Sequence, residues 1–186
     1  MPSPKIQRKF VVMGFRAVGK STITVRFVEN QFTDTYNPTI ENTYLKPIKH
    51  RGREYDCEII DTSGQDEFSI FQSQYAIGIH GYILVYSVNN AQSFELVQII
   101  NDKILNAIGA THVPRLLVGN KCDLKDRVIP TAQGRALAQE WDCRFVECSA
   151  KMNQNIDDIF VGMLDEVDRD SAPMEPKKKD SGCILQ

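Results

Sequence analysis

Short apolar, β-rich runs recur along the chain at Lys9–Met13, Thr43–Ile48, Tyr55–Ile60, Gly81–Ser87, Arg115–Gly119 and Arg144–Cys148. Between them the apolar positions fall at helical spacing near Lys20–Glu29, Ala91–Ile108, Thr131–Glu140 and Asn155–Arg169, with a shorter stretch of that kind near Ile70–Ile77. Arg51-Gly52 separates the second and third runs and predicts a hairpin. Strand and helix in alternation predict an α/β fold: a six-stranded, mostly parallel sheet with one antiparallel strand and helices on both faces. In such sheets ligands bind beyond the carboxyl ends of the strands, where the strand order reverses.

Length and charge narrow the class. At 186 residues the chain is expected to form one domain over residues 1–170, followed by a flexible tail over 171–186 where Ser, Pro, Lys and Asp take over. Its 22 basic and 24 acidic residues nearly cancel, so bulk charge offers no nucleic-acid footprint. No apolar run approaches the ~20 residues of a membrane span. The five cysteines (57, 122, 143, 148 and 183) lack metal or redox spacing and are expected as reduced thiols. His50, His80 and His112 lie far apart, which argues against a metal cluster.

Four loops then carry the chemistry. KFVVMGFRAVGKST, residues 9–22, places Gly14, Gly19, Lys20 and Ser21 in the spacing G-x-x-x-x-G-K-[ST] between a strand and a helix. Phosphate is expected against Arg16, Ala17, Val18, Gly19, Lys20, Ser21 and Thr22. Backbone amides and the helix N-terminus favour its oxygens, and Lys20 adds a point charge. Ser21 offers a hydroxyl to Mg²⁺. Asp61-Thr62-Ser63-Gly64-Gln65 follows the third strand. Asp61 is expected to hold Mg²⁺ directly or through water, Gly64 to bring an amide to a γ-phosphate, and Gln65 to orient the attacking water.

Asn120-Lys121-Cys122-Asp123 follows an apolar strand. A carboxylate at Asp123 accepts two coplanar hydrogen bonds, which suits N1–H and the exocyclic amine of guanine. Adenine offers no such pair and would leave a buried Asp123 unpaired, at about 1–3 kcal/mol or more. Lys121 is expected over the base and Asn120 as a tie between loops. Ser149-Ala150-Lys151 adds a backbone amide for the guanine O6. In the loop before the second strand, Phe32 is placed at the base edge.

GFRAVGKST, NPTIENTY, DTSGQDEFSIF, GYILVYSV, LVGNKCDL and ECSAK together resemble the Ras-type small GTPases over roughly residues 7–170. Most of those relatives have glycine at the position of Arg16; one branch carries arginine, as here. The resemblance implies a P-loop NTPase of the Ras-like G-domain type, monomeric and Mg²⁺-dependent. It implies Thr39 as a further Mg²⁺ ligand, Tyr36 closing over the nucleotide and slow intrinsic hydrolysis. It also implies a GTPase-activating protein of the tuberin type and a TOR-kinase complex as partners. Asn37, Ser63 and Ala17 depart from the pattern, which usually has aspartate, alanine and, in that branch, serine.

Arg16 has two readings: an arginine finger in cis, or a bulky cation that crowds the loop and displaces Gln65. The second is favoured, because an arginine starting inside the loop has little geometry for reaching back to a γ-phosphate. The functional alternatives are a GTPase switch, a GTP-bound scaffold with negligible hydrolysis, and an ATP-using P-loop kinase, which NKCD argues against. Cys183-Ile184-Leu185-Gln186 fits a prenylation box, glutamine favouring farnesyl. With Lys177-Lys178-Lys179 it leads to an expectation of reversible anchoring on the cytoplasmic face of endomembranes, with a cytosolic pool.

Overall fold

The computed structural model describes residues 5–33 and 37–171. Tyr36, the lysines at 177–179 and Cys183 therefore lie outside the described residues. The order of elements is β1 (Ile6–Gly14), α1 (Lys20–Glu29), β2 (Glu41–His50), β3 (Arg53–Thr62), a 3-10 turn (Ser73–Tyr75), β4 (Gly81–Ser87), α2 (Ala91–Ile108), β5 (Arg115–Asn120), α3 (Thr131–Glu140), β6 (Arg144–Glu147) and α4 (Ile156–Ser171). One six-stranded sheet runs β2-β3-β1-β4-β5-β6. Every neighbouring pair is parallel except β2 with β3.

Burial follows from position in that order. Phe10, Val11, Val12 and Met13 on central β1 are all buried, as expected of a strand covered on both faces. Alternation along β4 separates the helices. Tyr86 meets Phe94 of α2 edge-on at 4.9 Å, and its hydroxyl lies against Gly134 of α3. Gly81, on the other side of the pleat, lies against Met163 and Val167 of α4. Phe27 of α1 stacks on Phe160 of α4 with ring centroids 3.9 Å apart. Thus α2 and α3 cover one face, and α1 and α4 the other.

The hairpin lies where the sequence predicts it. Arg51 and Gly52 both take positive φ, 49° and 74°, which suits a two-residue turn between twisted strands. Its ladder runs unbroken from Glu41↔Thr62 to His50↔Arg53. The tip is fastened to α4: Asp165 meets His50 at 2.7 Å, Arg51 at 3.1 Å and Arg144 of β6 at 3.0 Å. Asp168 accepts from the Tyr55 hydroxyl at 2.6 Å and from Arg8 at 3.2 Å.

One expectation fails. The helical stretch near Ile70–Ile77 reduces to the 3-10 turn Ser73–Tyr75, with Ile70 89% and Ile77 76% exposed. The reason is local. Asp66 Oδ1 accepts from the Phe68 amide and the Ser69 hydroxyl, a side-chain turn that competes with helical hydrogen bonding.

Candidate functional site

The loops after β1, β3, β5 and β6 leave the same edge of the sheet because those four strands run parallel. Together with the segment before β2 they wall a cleft of about 580 Å³. Arg16, Ala17, Gly19, Lys20, Ser21, Thr22, Phe32, Thr39, Gly64, Asn120, Lys121, Asp123, Ala150 and Lys151, all expected at the nucleotide, line it together. Val18 and Ser149 do not. Both are buried behind the wall, where the Val18 carbonyl accepts from Asn120 and the Ser149 hydroxyl accepts from the Met152 amide.

The phosphate loop is braced from within. The Lys20 ammonium is buried and donates to the carbonyls of Gly14 and Phe15 at 3.1 and 3.0 Å. Burial lowers its pKa to about 8, with Asp61 pulling upward. Gly19 has φ +98°, and a Cβ there would stand 2.2 Å from Asn120 Nδ2, so only glycine fits. Ala17 also takes positive φ, 58°, and its carbonyl accepts from the Lys121 ammonium at 2.8 Å. Lys121 itself has φ 66°, so the two strained residues hold each other.

The base side is one connected unit. Asn120 Nδ2 donates to Val18 O at 2.8 Å, while Oδ1 accepts from the Ala150 amide at 3.3 Å. Asp123 stands exposed at the rim, so the pairing penalty argued from sequence applies once a base covers it. Arg26 is a member that sequence reading missed. Its guanidinium donates to the carbonyls of Ala150 and Lys151 at 3.1 and 3.3 Å and lies 5.5 Å from the centre of the Phe32 ring. In the sequence it reads only as a basic residue in the last turn of α1, where a cation suits the helix dipole.

On the phosphate side, the Ser21 and Thr39 hydroxyl oxygens are 2.7 Å apart. Asp61 is fully buried, and neither carboxylate oxygen has a hydrogen-bond partner among the described residues. Burial raises its pKa, with the Ser21 hydroxyl and the Lys20 ammonium opposing. A buried carboxylate close to two hydroxyls is an all-oxygen donor set, which fits a hard divalent cation.

The loop carrying Gln65 lies against the phosphate loop. Gln65 donates its backbone N–H to Gly14 O at 3.1 Å and pairs with Phe15 as an isolated parallel bridge. A Cβ on Gly64 would lie 2.6 Å from both Cα and Cβ of Arg16. The Arg16 guanidinium sits over the Phe15 ring, 5.2 Å from its centre. Gln65 is half-buried and is not part of the cleft wall.

Residues 9–169 match the Ras family. The chain belongs to the Ras family. As a Ras-family protein it is a GTP-hydrolysing small GTPase that binds guanine nucleotide. It is similar to GTP-binding protein Rheb homolog of Dictyostelium discoideum, 58% identical over 184 residues, 98% of this chain and 99% of that protein. GTP-binding protein Rheb of Homo sapiens is 48% identical over 187 residues, spanning 100% of both chains. GTP-binding protein rhb1 of Schizosaccharomyces pombe is 47% identical over 184 residues, 98% of this chain and 99% of that protein.

Proposed function

We propose that this Ras-family chain is a Rheb-type switch: a Mg²⁺-dependent GTPase with slow intrinsic turnover. One observation carries the slow turnover, namely that Gly64 is pressed onto Arg16 while Gln65 is paired to Phe15 beside the cleft. Arg16 crowds the loop that must move for Gln65 to orient water. Its guanidinium turns toward Phe15, which favours crowding over a finger in cis.

The residues divide the chemistry. Lys20, with the amides from Arg16 to Thr22, holds the phosphates, and the ammonium exchanges its carbonyl partners for phosphate oxygens. Asp123 and Lys121 select guanine. Ser21 and Thr39 would hold Mg²⁺ directly and Asp61 through water; the ion supplies charge neutralisation at the phosphates. Thr39 and Gly64 sense the γ-phosphate, and their two loops change conformation on its loss. Tyr36 closes over the nucleotide.

Relatives named Rheb, alike over the full chain, support the partner reading: a tuberin-type GTPase-activating protein upstream and a TOR-kinase complex downstream. Prenylation at Cys183, aided by Lys177–Lys179, places the chain on the cytoplasmic face of endomembranes in this reading.

Single-turnover phosphate release from GTP-loaded protein tests the core of it, with and without the activating protein. The wild type is expected to be slow alone and accelerated by its partner, and Arg16→Gly to be as fast as the wild type or faster unassisted. A severalfold drop in Arg16→Gly would establish the finger instead. No release even with the activating protein would make the chain a GTP-bound scaffold.

A further inference from the structure

Lys103, half-buried on α2, has no place in the nucleotide site. Its ammonium donates to two backbone carbonyls of the loop that follows Gln65, those of Glu67 and Ser69, both at 2.8 Å. These are charge-assisted bonds from a regular helix to an irregular segment. The segment they grip is a tight turn. Asp66 Oδ1 accepts from the Phe68 amide at 3.1 Å and from the Ser69 hydroxyl at 2.8 Å, and that hydroxyl accepts the Asp66 amide at 3.0 Å.

Apolar packing does not hold this turn: Phe68 is 84% and Ile70 89% exposed. Polar ties hold it, and Lys103 takes two carbonyls that a helix through the segment would need for its own amides. Gln65 is thus fixed from both sides. Its backbone N–H is bound to Gly14 O at 3.1 Å, and one residue later begins the turn that Lys103 clamps.

We infer that Lys103 is a positioning residue for Gln65: by gripping the carbonyls of Glu67 and Ser69 it keeps the glutamine beside the cleft and slows intrinsic GTP hydrolysis. The inference rests on the reading that Gln65 orients the attacking water.

Its test compares the full-length wild type with Lys103→Met, Lys103→Arg, Gln65→Leu and the Met/Leu double variant. Each is loaded with GTP and followed by single-turnover phosphate release. Lys103→Met is expected to release phosphate roughly threefold to tenfold faster, the upper figure equivalent to about 1.4 kcal/mol. Lys103→Arg, which keeps a positive charge with several N–H donors, is expected to restore slow release, and the gain is expected to vanish in the double variant. Amide hydrogen exchange over residues 66–70 is expected to quicken in Lys103→Met, with GTP affinity unchanged. A Lys103→Met rate within twofold of the wild type, or below it, overturns the inference; so does a gain that survives Gln65→Leu. Lys103→Gln takes its place if the methionine variant loads nucleotide poorly. A wild type that binds no GTP defeats the functional reading separately. The exchange experiment still measures the grip in that event, and unchanged exchange overturns it.

Discussion

Asn120 holds Val18 from across the cleft: its Nδ2 donates to the Val18 carbonyl at 2.8 Å, and its Oδ1 accepts from the Ala150 amide at 3.3 Å. One buried side chain thereby joins the phosphate loop to both base loops. Asn120→Ala removes both bonds and leaves buried partners unsatisfied, at about 1–3 kcal/mol. Affinity is expected to fall roughly tenfold to a hundredfold, equally for GDP and GTP because the tie lies away from the γ-phosphate side. Titration with fluorescent analogues of both nucleotides checks it. A loss confined to GTP would contradict this role.

Gly19→Ala attacks the same junction from the other side. At φ +98° with Asn120 Nδ2 2.2 Å from the added Cβ, an alanine must displace either the loop or Asn120. Nucleotide affinity is expected to drop by more than about a hundredfold, combining backbone strain with the lost tie. Equilibrium dialysis against labelled GDP measures it, and near-wild-type binding would show that the loop relaxes freely.

The Lys20 ammonium gives a pH signature. Its folded pKa of about 8 lies below the ordinary value of 10.5, so between those values the unfolded chain holds more protons. Stability of the nucleotide-free protein should therefore rise with pH across that window. Phosphate favours the charged amine, so binding should draw in about half a proton at pH 8 and about a tenth at pH 7. Calorimetry of GDP binding in buffers of different ionisation heat reads this number directly. Lys20→Met should abolish the uptake in whatever binding remains.

As a proposed Mg²⁺ ligand, Asp61 stands where burial disfavours its charge. Burial raises its carboxyl pKa, so folded protein loses stability as pH climbs from the ordinary carboxyl value to the raised one, and the loss persists at neutrality. Asp61→Asn should raise the melting temperature of nucleotide-free, magnesium-free protein, by roughly 2–4 °C for each kcal/mol recovered. It should also erase the increase in nucleotide affinity expected from Mg²⁺ in the wild type. A lower melting temperature together with intact Mg²⁺ dependence would remove Asp61 from the metal set.

Sequence pattern alone located every strand and the four long helices because each apolar run has its own period and its own punctuation. Arg51-Gly52 fixed the hairpin, and Asn90 with Gly109 frames α2 through a side-chain cap and a left-handed end. The site loops were legible because their residue types are demanding: glycine where a Cβ would collide, a carboxylate at a strand end, Asn-Lys-x-Asp after β5. Two things were not. The stretch Ile70–Ile77 has helical spacing, yet the Asp66 turn upstream and the exposure of both isoleucines decide otherwise. Arg26 and Lys103 act through backbone carbonyls, and a carbonyl leaves no trace in the identity of the residue that bears it.

The β2–β3 hairpin begins next to Thr39 and ends in the arginine and histidine contacts on Asp165 of α4. Sliding it by one rung would turn every side chain to the opposite face and break those contacts together. The ribbon is held along its length as well as at its tip, because β3 is also paired with β1 from Ile6↔Tyr55 to Val12↔Asp61. A change of register is thereby closed to the hairpin, and any displacement that starts at Thr39 has to be absorbed in the short stretch before Glu41 instead of travelling down the strands.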